Sequence, residues 1–163
     1  MDYLWTPWRF QYLESGLGKD ECVFCRILQE SPDQDSAHFV LAHGPHTFLI
    51  LNRFPYTSGH LMVVLRRHVA KLIDAEPAEL EEVIQWARRC EEVLREVYAP
   101  EGFNIGFNVG SCAGAGVAGH LHLHVVPRWT GDANLVSVIG QTRTIPEELE
   151  TTYEKLRPHL QNR

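Results

Sequence analysis

The segment His120-Leu121-His122-Leu123-His124-Val125-Val126 constrains the fold more than any other part of this 163-residue chain. Imidazole and aliphatic side chains alternate with a period of two, and residues at i, i+2 and i+4 of a strand share a face. The pattern predicts a strand over Leu121 to Val126, with His120, His122 and His124 in line on one side and the aliphatic residues in a core.

The rest of the chain supplies partners for that strand. Phe39 to Ala42 and Thr47 to Asn52 read as strands joined by the turn His43-Gly44-Pro45-His46, with His60 to Leu65 as a third and Phe103 to Val109 as a fourth. Pro77, followed by Glu79, Glu81 and Glu82, marks the start of a helix. Its apolar positions Leu80, Val83, Ile84, Ala87, Cys90, Leu94 and Val97 keep the 3,4 spacing up to Tyr98. Pro146 to Leu160 reads as a final helix. Strands grouped around one long helix predict an α+β fold, a mostly antiparallel sheet of about five strands, in a single domain over 1–163. With 44% hydrophobic residues the chain can bury a real core.

Composition excludes some functions. A net charge of -6 opposes binding to a nucleic-acid backbone. No apolar run approaches the roughly 20 residues that cross a bilayer. The N-terminus lacks the pattern of a secretory signal, so a cytoplasmic location is expected. Glu81, Glu82, Glu91 and Glu92 read as a solvated helix face, and Arg66 and Arg67 as either a phosphate lure or plain surface. An aromatic arm over 1–12, with Trp5, Trp8 and Phe10, reads as packing on its own domain or on a partner subunit.

Three histidines on one face beside a glycine-rich loop point to chemistry. One ion cannot easily take all three, because strand rise separates His120 from His124 by roughly 13 Å. The alternative is nucleophilic catalysis, in which a neutral imidazole attacks phosphorus and a second donates hydrogen bonds to the phosphate. An ordinary imidazole pKa of about 6.5 keeps such a nucleophile neutral near pH 7. Gly110 to Gly116 would let backbone N–H groups approach phosphate oxygens, though it matches neither a Walker loop nor a dinucleotide fingerprint. Elsewhere, Cys22-Val-Phe-Cys25 has the spacing for one zinc, which would need two more ligands, or for a redox dithiol. Cys90 and Cys112 read as small apolar fillers.

His120 to Val126 matches the His-φ-His-φ-His-φ-φ signature, with φ apolar, and the chain resembles the histidine triad (HIT) family on it. The resemblance runs from Leu4 through Asn52-Arg53 and Gly59-His60 to Trp129. Leu4-Trp5-Thr6-Pro7-Trp8-Arg9 and Pro127-Arg128-Trp129, with Gly131-Asp132-Ala133-Asn134, look most like the microbial diadenosine tetraphosphate phosphorylase branch.

The resemblance implies a HIT-like fold and nucleotidyl transfer from a dinucleoside polyphosphate to phosphate or water. In that role His122 is the nucleophile and His124 a phosphate contact. Asn52 would bind ribose, with His60 beside the nucleotide and Asn108 opening a phosphate loop of Gly110, Ser111, Gly114 and Gly116. Many relatives carry polar side chains where this chain has Gly116 and Val117, so backbone N–H groups, Ser111 or Arg128 would have to assist. Zinc-bearing relatives combine a Cys-x-x-Cys with a distant His and the first triad His, here Cys22, Cys25, His68 and His120. No organic cofactor is implied, and a homodimer is. The alternatives are a nucleoside phosphoramidase of the Hint type and a non-enzymatic nucleotide-binding signalling module.

Overall fold

The computed structural model of the chain describes residues 22–132 and 145–161. The aromatic arm over 1–12 and Ala133-Asn134 lie outside the described residues. Five strands form one antiparallel sheet: β1 (Val40–His43), β2 (Thr47–Leu51), β3 (Leu61–Leu65), β4 (Gly102–Phe107) and β5 (His122–Arg128), in the order β1-β2-β3-β5-β4. Two short helices, α1 (Val23–Gln29) and α2 (Asp35–His38), precede the sheet. The long α3 (Pro77–Tyr98) and the C-terminal α4 (Leu149–Gln161) complete the α+β architecture that the sequence predicts.

The core has two parts, one on each face of the sheet. Leu49, Leu51, Leu61, Val63, Leu123 and Val125 pack with Trp86, Cys90 and Leu94 of α3 and Leu156 of α4. On the other face Val40, Phe48, Ile50, Met62 and Val64 pack with Phe24 of α1. Strands β2 and β3 are therefore buried on both sides, which is why they read as unbroken apolar runs. In the β3–β5 ladder Val63 faces Leu123 and Leu61 faces Val125, while Val64 faces His122 and Met62 faces His124.

Several boundaries differ from the sequence reading. Phe39 does not open β1; it sits at φ 61° and ends α2, so the strand starts one residue later. β4 stops at Phe107, which leaves Asn108 and Val109 in the following loop. β5 begins at His122, so His120 precedes the strand rather than belonging to it. The final helix starts at Leu149 rather than Pro146.

Helix α3 has the expected span, secured at its start by Pro77 and a capping box between Glu76 and Glu79. Its face is rotated from the simple apolar stripe. Ile84 is 62% exposed, whereas Glu79 and Glu82 are buried. The turn between β1 and β2 leaves donors that need an acceptor, and Glu82 takes them: the backbone N–H of His46 (3.0 Å), the N–H of Thr47 (3.1 Å) and the Thr47 hydroxyl (2.5 Å). Glu79 holds Arg67 through two hydrogen bonds of 2.9 and 2.8 Å, so Arg67 serves the fold and is not a phosphate lure. Arg67 in turn lowers the Glu79 pKa. Cys90 is a buried filler as expected, but Cys112 is exposed. Among the described residues no helix is long and apolar enough to cross a membrane.

Replacing Glu82 by Ala leaves three donors without their buried acceptor and should lower unfolding stability by about 2–4 kcal/mol. Gly44→Ala should also destabilise, because its Cβ would stand 1.9 Å from Glu82 Oε1. On the Glu82→Ala background the Gly44→Ala change should cost clearly less, since the carboxylate clash is gone and only the 3.1 Å approach to Trp86 Nε1 remains. Denaturant unfolding of the two single variants and the double variant checks this; additive losses would contradict it.

Candidate active site

Because Leu123 and Val125 are held in the α3-side core, β5 must turn His122 and His124 to the opposite face. His120 joins them from the segment before the strand, where Leu121 N–H donates to the Val69 carbonyl (2.7 Å) and His120 N–H to the Val117 carbonyl (3.2 Å). The Phe24 ring lies 5.3 Å from the His120 ring and 5.2 Å from that of His122. His122 and His124 are 4.9 Å apart, centroid to centroid.

Hydrogen-bond partners set the tautomers. His122 Nδ1–H donates to the His120 carbonyl (2.7 Å), which leaves the lone pair on Nε2. Burial, at 4% exposure, pushes the His122 pKa below its ordinary value and keeps the ring neutral. Tyr56 N–H donates to His60 Nδ1 (3.1 Å), so the His60 proton lies on Nε2 and is given to His124 Nδ1 (2.9 Å). His124 therefore carries its own proton on Nε2, next to His122. Asn52 steadies the chain: its Oδ1 accepts from Phe54 N–H (3.0 Å) and its amide nitrogen lies 3.3 Å from His60 Nδ1. The orienting part played by Asn52, His60 and the Tyr56 backbone was not legible in the sequence, since a main-chain donor leaves no residue-type signal.

The loop after β4 is only partly the cradle that its glycines suggest. Gly110 and Gly114 sit at φ 88° and 89°, a region that favours glycine. However, the N–H groups of Ala113, Gly114 and Ala115 donate to the carbonyls of Gly110, Ser111 and Gly110, closing a turn instead of facing an anion. Val117 packs with the Phe24 cluster. Arg128 is not brought to the loop: six residues along β5 from His122, roughly 20 Å away, it donates to Asp132 (2.5 and 2.7 Å) and to Asn104 Oδ1 (2.6 Å).

A second cluster adjoins the first. Cys22, which precedes α1, and Cys25 in its first turn meet His68 and His120, with all four ligand atoms within 4.8 Å of one another. His120 Nε2–H donates to the Leu65 carbonyl (2.7 Å), so its Nδ1 lone pair faces Cys22 Sγ (3.3 Å) and Cys25 Sγ (3.6 Å). His68 Nδ1 stands 3.2 Å from Cys25 Sγ. Tetrahedral zinc with ordinary bond lengths needs S···N edges of about 3.5 Å, so the donor set and spacing fit such an ion. Burial and the neighbouring Cys22 raise the Cys25 thiol pKa, a penalty that a bound cation reverses.

Burial, then the neighbouring His122, lowers the His124 pKa from 6.5 to about 4. Protonation of His124 therefore opposes folding: its contribution to stability is complete above about pH 6.5 and is lost as pH falls towards 4. His124→Gln should flatten the decline of Tm between pH 7 and pH 4. Parallel Tm profiles for the two proteins would contradict the burial argument.

The HIT domain profile matches residues 33–131. The chain is 41% identical over 154 residues to AP-4-A phosphorylase of Mycobacterium tuberculosis, covering 91% of this chain and 79% of that one. It is 34% identical over 82 residues to the asymmetrical bis(5'-nucleosyl)-tetraphosphatase of Schizosaccharomyces pombe, covering 50% of this chain and 44% of that one. A solved structure of a Zn-bound histidine triad family protein from Mycobacterium smegmatis superposes with a TM-score of 0.69 at 30% identity, covering 88% of this chain and 95% of the other. Signature, sheet order and relatives agree, and the chain belongs to the HIT family.

Proposed function

We propose that this chain cleaves dinucleoside polyphosphates, diadenosine tetraphosphate foremost, by two-step nucleotidyl transfer through His122. The observation that carries the reading is the His122 Nδ1–H bond to the His120 carbonyl, which fixes the ring as a neutral nucleophile with Nε2 free to attack. In the first step Nε2 bonds to an α-phosphorus and the P–O bond to the departing nucleotide breaks. His124 Nε2–H, held in place by His60, donates a hydrogen bond to the phosphate as charge builds there. In the second step phosphate or water attacks the nucleotidyl-histidine, releasing ADP or AMP and restoring the imidazole.

Asn52 and His60 flank the nucleotide in this reading, and Asn108, Gly110, Ser111, Gly114 and Gly116 line the polyphosphate. The 41% identity to an AP-4-A phosphorylase supports phosphate as the acceptor. We place zinc in the cage of Cys22, Cys25, His68 and His120, supported by the S···N spacings and by the Zn-bound relative. There it would tie α1 to the segment carrying His120. The open edge of β4, with Ile105 exposed, is compatible with a homodimer.

His122→Ala should lower turnover by about a thousandfold or more, and His124→Ala by about a hundredfold, with nucleotide binding retained in both. With diadenosine tetraphosphate, labelled phosphate should appear in ADP. AMP as the main product at millimolar phosphate would make the chain a hydrolase with the same nucleophile.

Protein purified without added metal should contain one zinc per chain. Cys22→Ser should lose the zinc and lower Tm, because metal binding is coupled to folding. Elemental analysis showing no zinc, even after reconstitution, would leave the four residues as ordinary side chains.

A further inference from the structure

We propose that Cys22 and Cys25 are a redox site: a small disulfide oxidises them to a Cys22–Cys25 disulfide, which opens the metal cage and displaces His122. The inference rests on the zinc cage proposed above and adds to it a reaction of two of its ligands.

The two sulfurs are placed to join. Cys22 is the N-cap of α1, and its side chain caps no backbone N–H, so Sγ is left for the cluster. Cys25 stands at the spacing at which residues on a helix surface have Cβ atoms about 5–6 Å apart. A disulfide spans a Cβ separation of about 3.5–4.5 Å, so a small adjustment of the helix start closes the bond. The ligand atoms of Cys22, Cys25, His68 and His120 already lie within 4.8 Å of one another. They are also within reach of a small molecule, since both cysteines are half-buried and His68, 3.2 Å from Cys25 Sγ, is exposed. Cys90, by contrast, is buried.

The exchange needs no reactant besides the small disulfide. One cysteine thiolate attacks a sulfur of that molecule, whose S–S bond breaks and expels a thiolate. The other cysteine thiolate then attacks the protein sulfur of the mixed disulfide, expels the second small thiolate and closes the Cys22–Cys25 bond. Two electrons pass from the cysteine sulfurs to the oxidant. A cation in the cage keeps both sulfurs in the thiolate form that the exchange requires. Once joined, the sulfurs carry no charge and two of the four ligands are lost, so the ion is released.

The closed ring reaches the nucleophile by two links. Phe24 lies between the two cysteines, and its ring packs 5.3 Å from that of His120 and 5.2 Å from that of His122. Drawing the sulfurs together therefore moves a side chain that touches both histidines. The second link is His120 itself, which is 1% exposed. Its Nε2–H is held by the Leu65 carbonyl, and its Nδ1 faces the two sulfurs. A disulfide offers that nitrogen neither a proton nor a cation, and a buried acceptor left with neither is destabilised. His120 must then shift, and its carbonyl is the acceptor that orients the His122 ring.

The test uses the full chain on a Cys112→Ser background, because Cys112 is a further exposed thiol. Millimolar glutathione disulfide is the oxidant, and zinc release to a chromogenic chelator is followed together with peptide mass. One zinc per chain should be released as the Cys22–Cys25 linkage forms, and dithiothreitol with added zinc should reverse both. Turnover of diadenosine tetraphosphate should fall about tenfold or more, since misplacing a reacting group by about 1 Å can cost as much as a hundredfold. Side-chain 15N NMR reads the same event without turnover: the Nδ1–H tautomer of His122 should give way to a mixture on oxidation.

Cys22 and Cys25 that stay unlinked, or zinc that stays bound, would overturn the redox site. A disulfide that forms while the His122 signals and turnover stay unchanged would overturn its link to the nucleophile. Native protein without zinc would overturn the cage and this proposal together. A disulfide that releases zinc and alters the His122 signals, in a chain that never turns over the dinucleotide, would support the redox site and refute the proposed reaction alone.

Discussion

Strand β5 can bury Leu123 and Val125 against α3 only by presenting His122 and His124 on its other face, and the rest of the site depends on that constraint. The register with β3 makes it secure. A slip of one residue would move imidazoles into the apolar core and leucines into the cleft. The same packing that stabilises the sheet therefore aims the histidines. The glutamates of α3 contribute at a distance, since Glu82 closes the β1–β2 turn and Glu79 holds Arg67 just beyond β3.

On that face the backbone settles the proton positions. The His120 carbonyl accepts a hydrogen bond from His122 Nδ1–H, and Tyr56 N–H determines that the His60 proton is directed to His124 Nδ1, which leaves the His124 proton on Nε2. Burial keeps His122 and His124 neutral, so the pair can act as nucleophile and donor near pH 7. His120 belongs to both clusters: its carbonyl orients the His122 ring and its Nδ1 faces the two thiols. A metal there would thus steady α1, Phe24 and the start of β5 together.

Elements with a strong period were legible in the sequence. Helix α3, with Pro77 at its start and a 3,4 apolar spacing, has the span expected of it, and β2, β3 and β5 depart only at their ends. The triad and the Cys-x-x-Cys were visible as spacing, and the structure brings Cys22 and Cys25 to His68 and His120. What was not legible depends on tertiary partners. Glu82 looks like a solvated acid until the β1–β2 turn is seen to need an acceptor. Arg128 looks like a phosphate ligand until Asp132 is found in front of it. The glycines after β4 mark a turn, but not which of its N–H groups are already used.

The central claim is that His122 Nε2 becomes covalently bonded to a nucleotidyl group during turnover. Rapid acid or base quench of the protein with diadenosine tetraphosphate, followed by peptide mass spectrometry, tests it directly. The account predicts one adenylyl group on the peptide containing His122, stable in base, labile in acid and absent from His122→Ala. Turnover at the native rate with no such adduct, or an adduct on another residue, would contradict it.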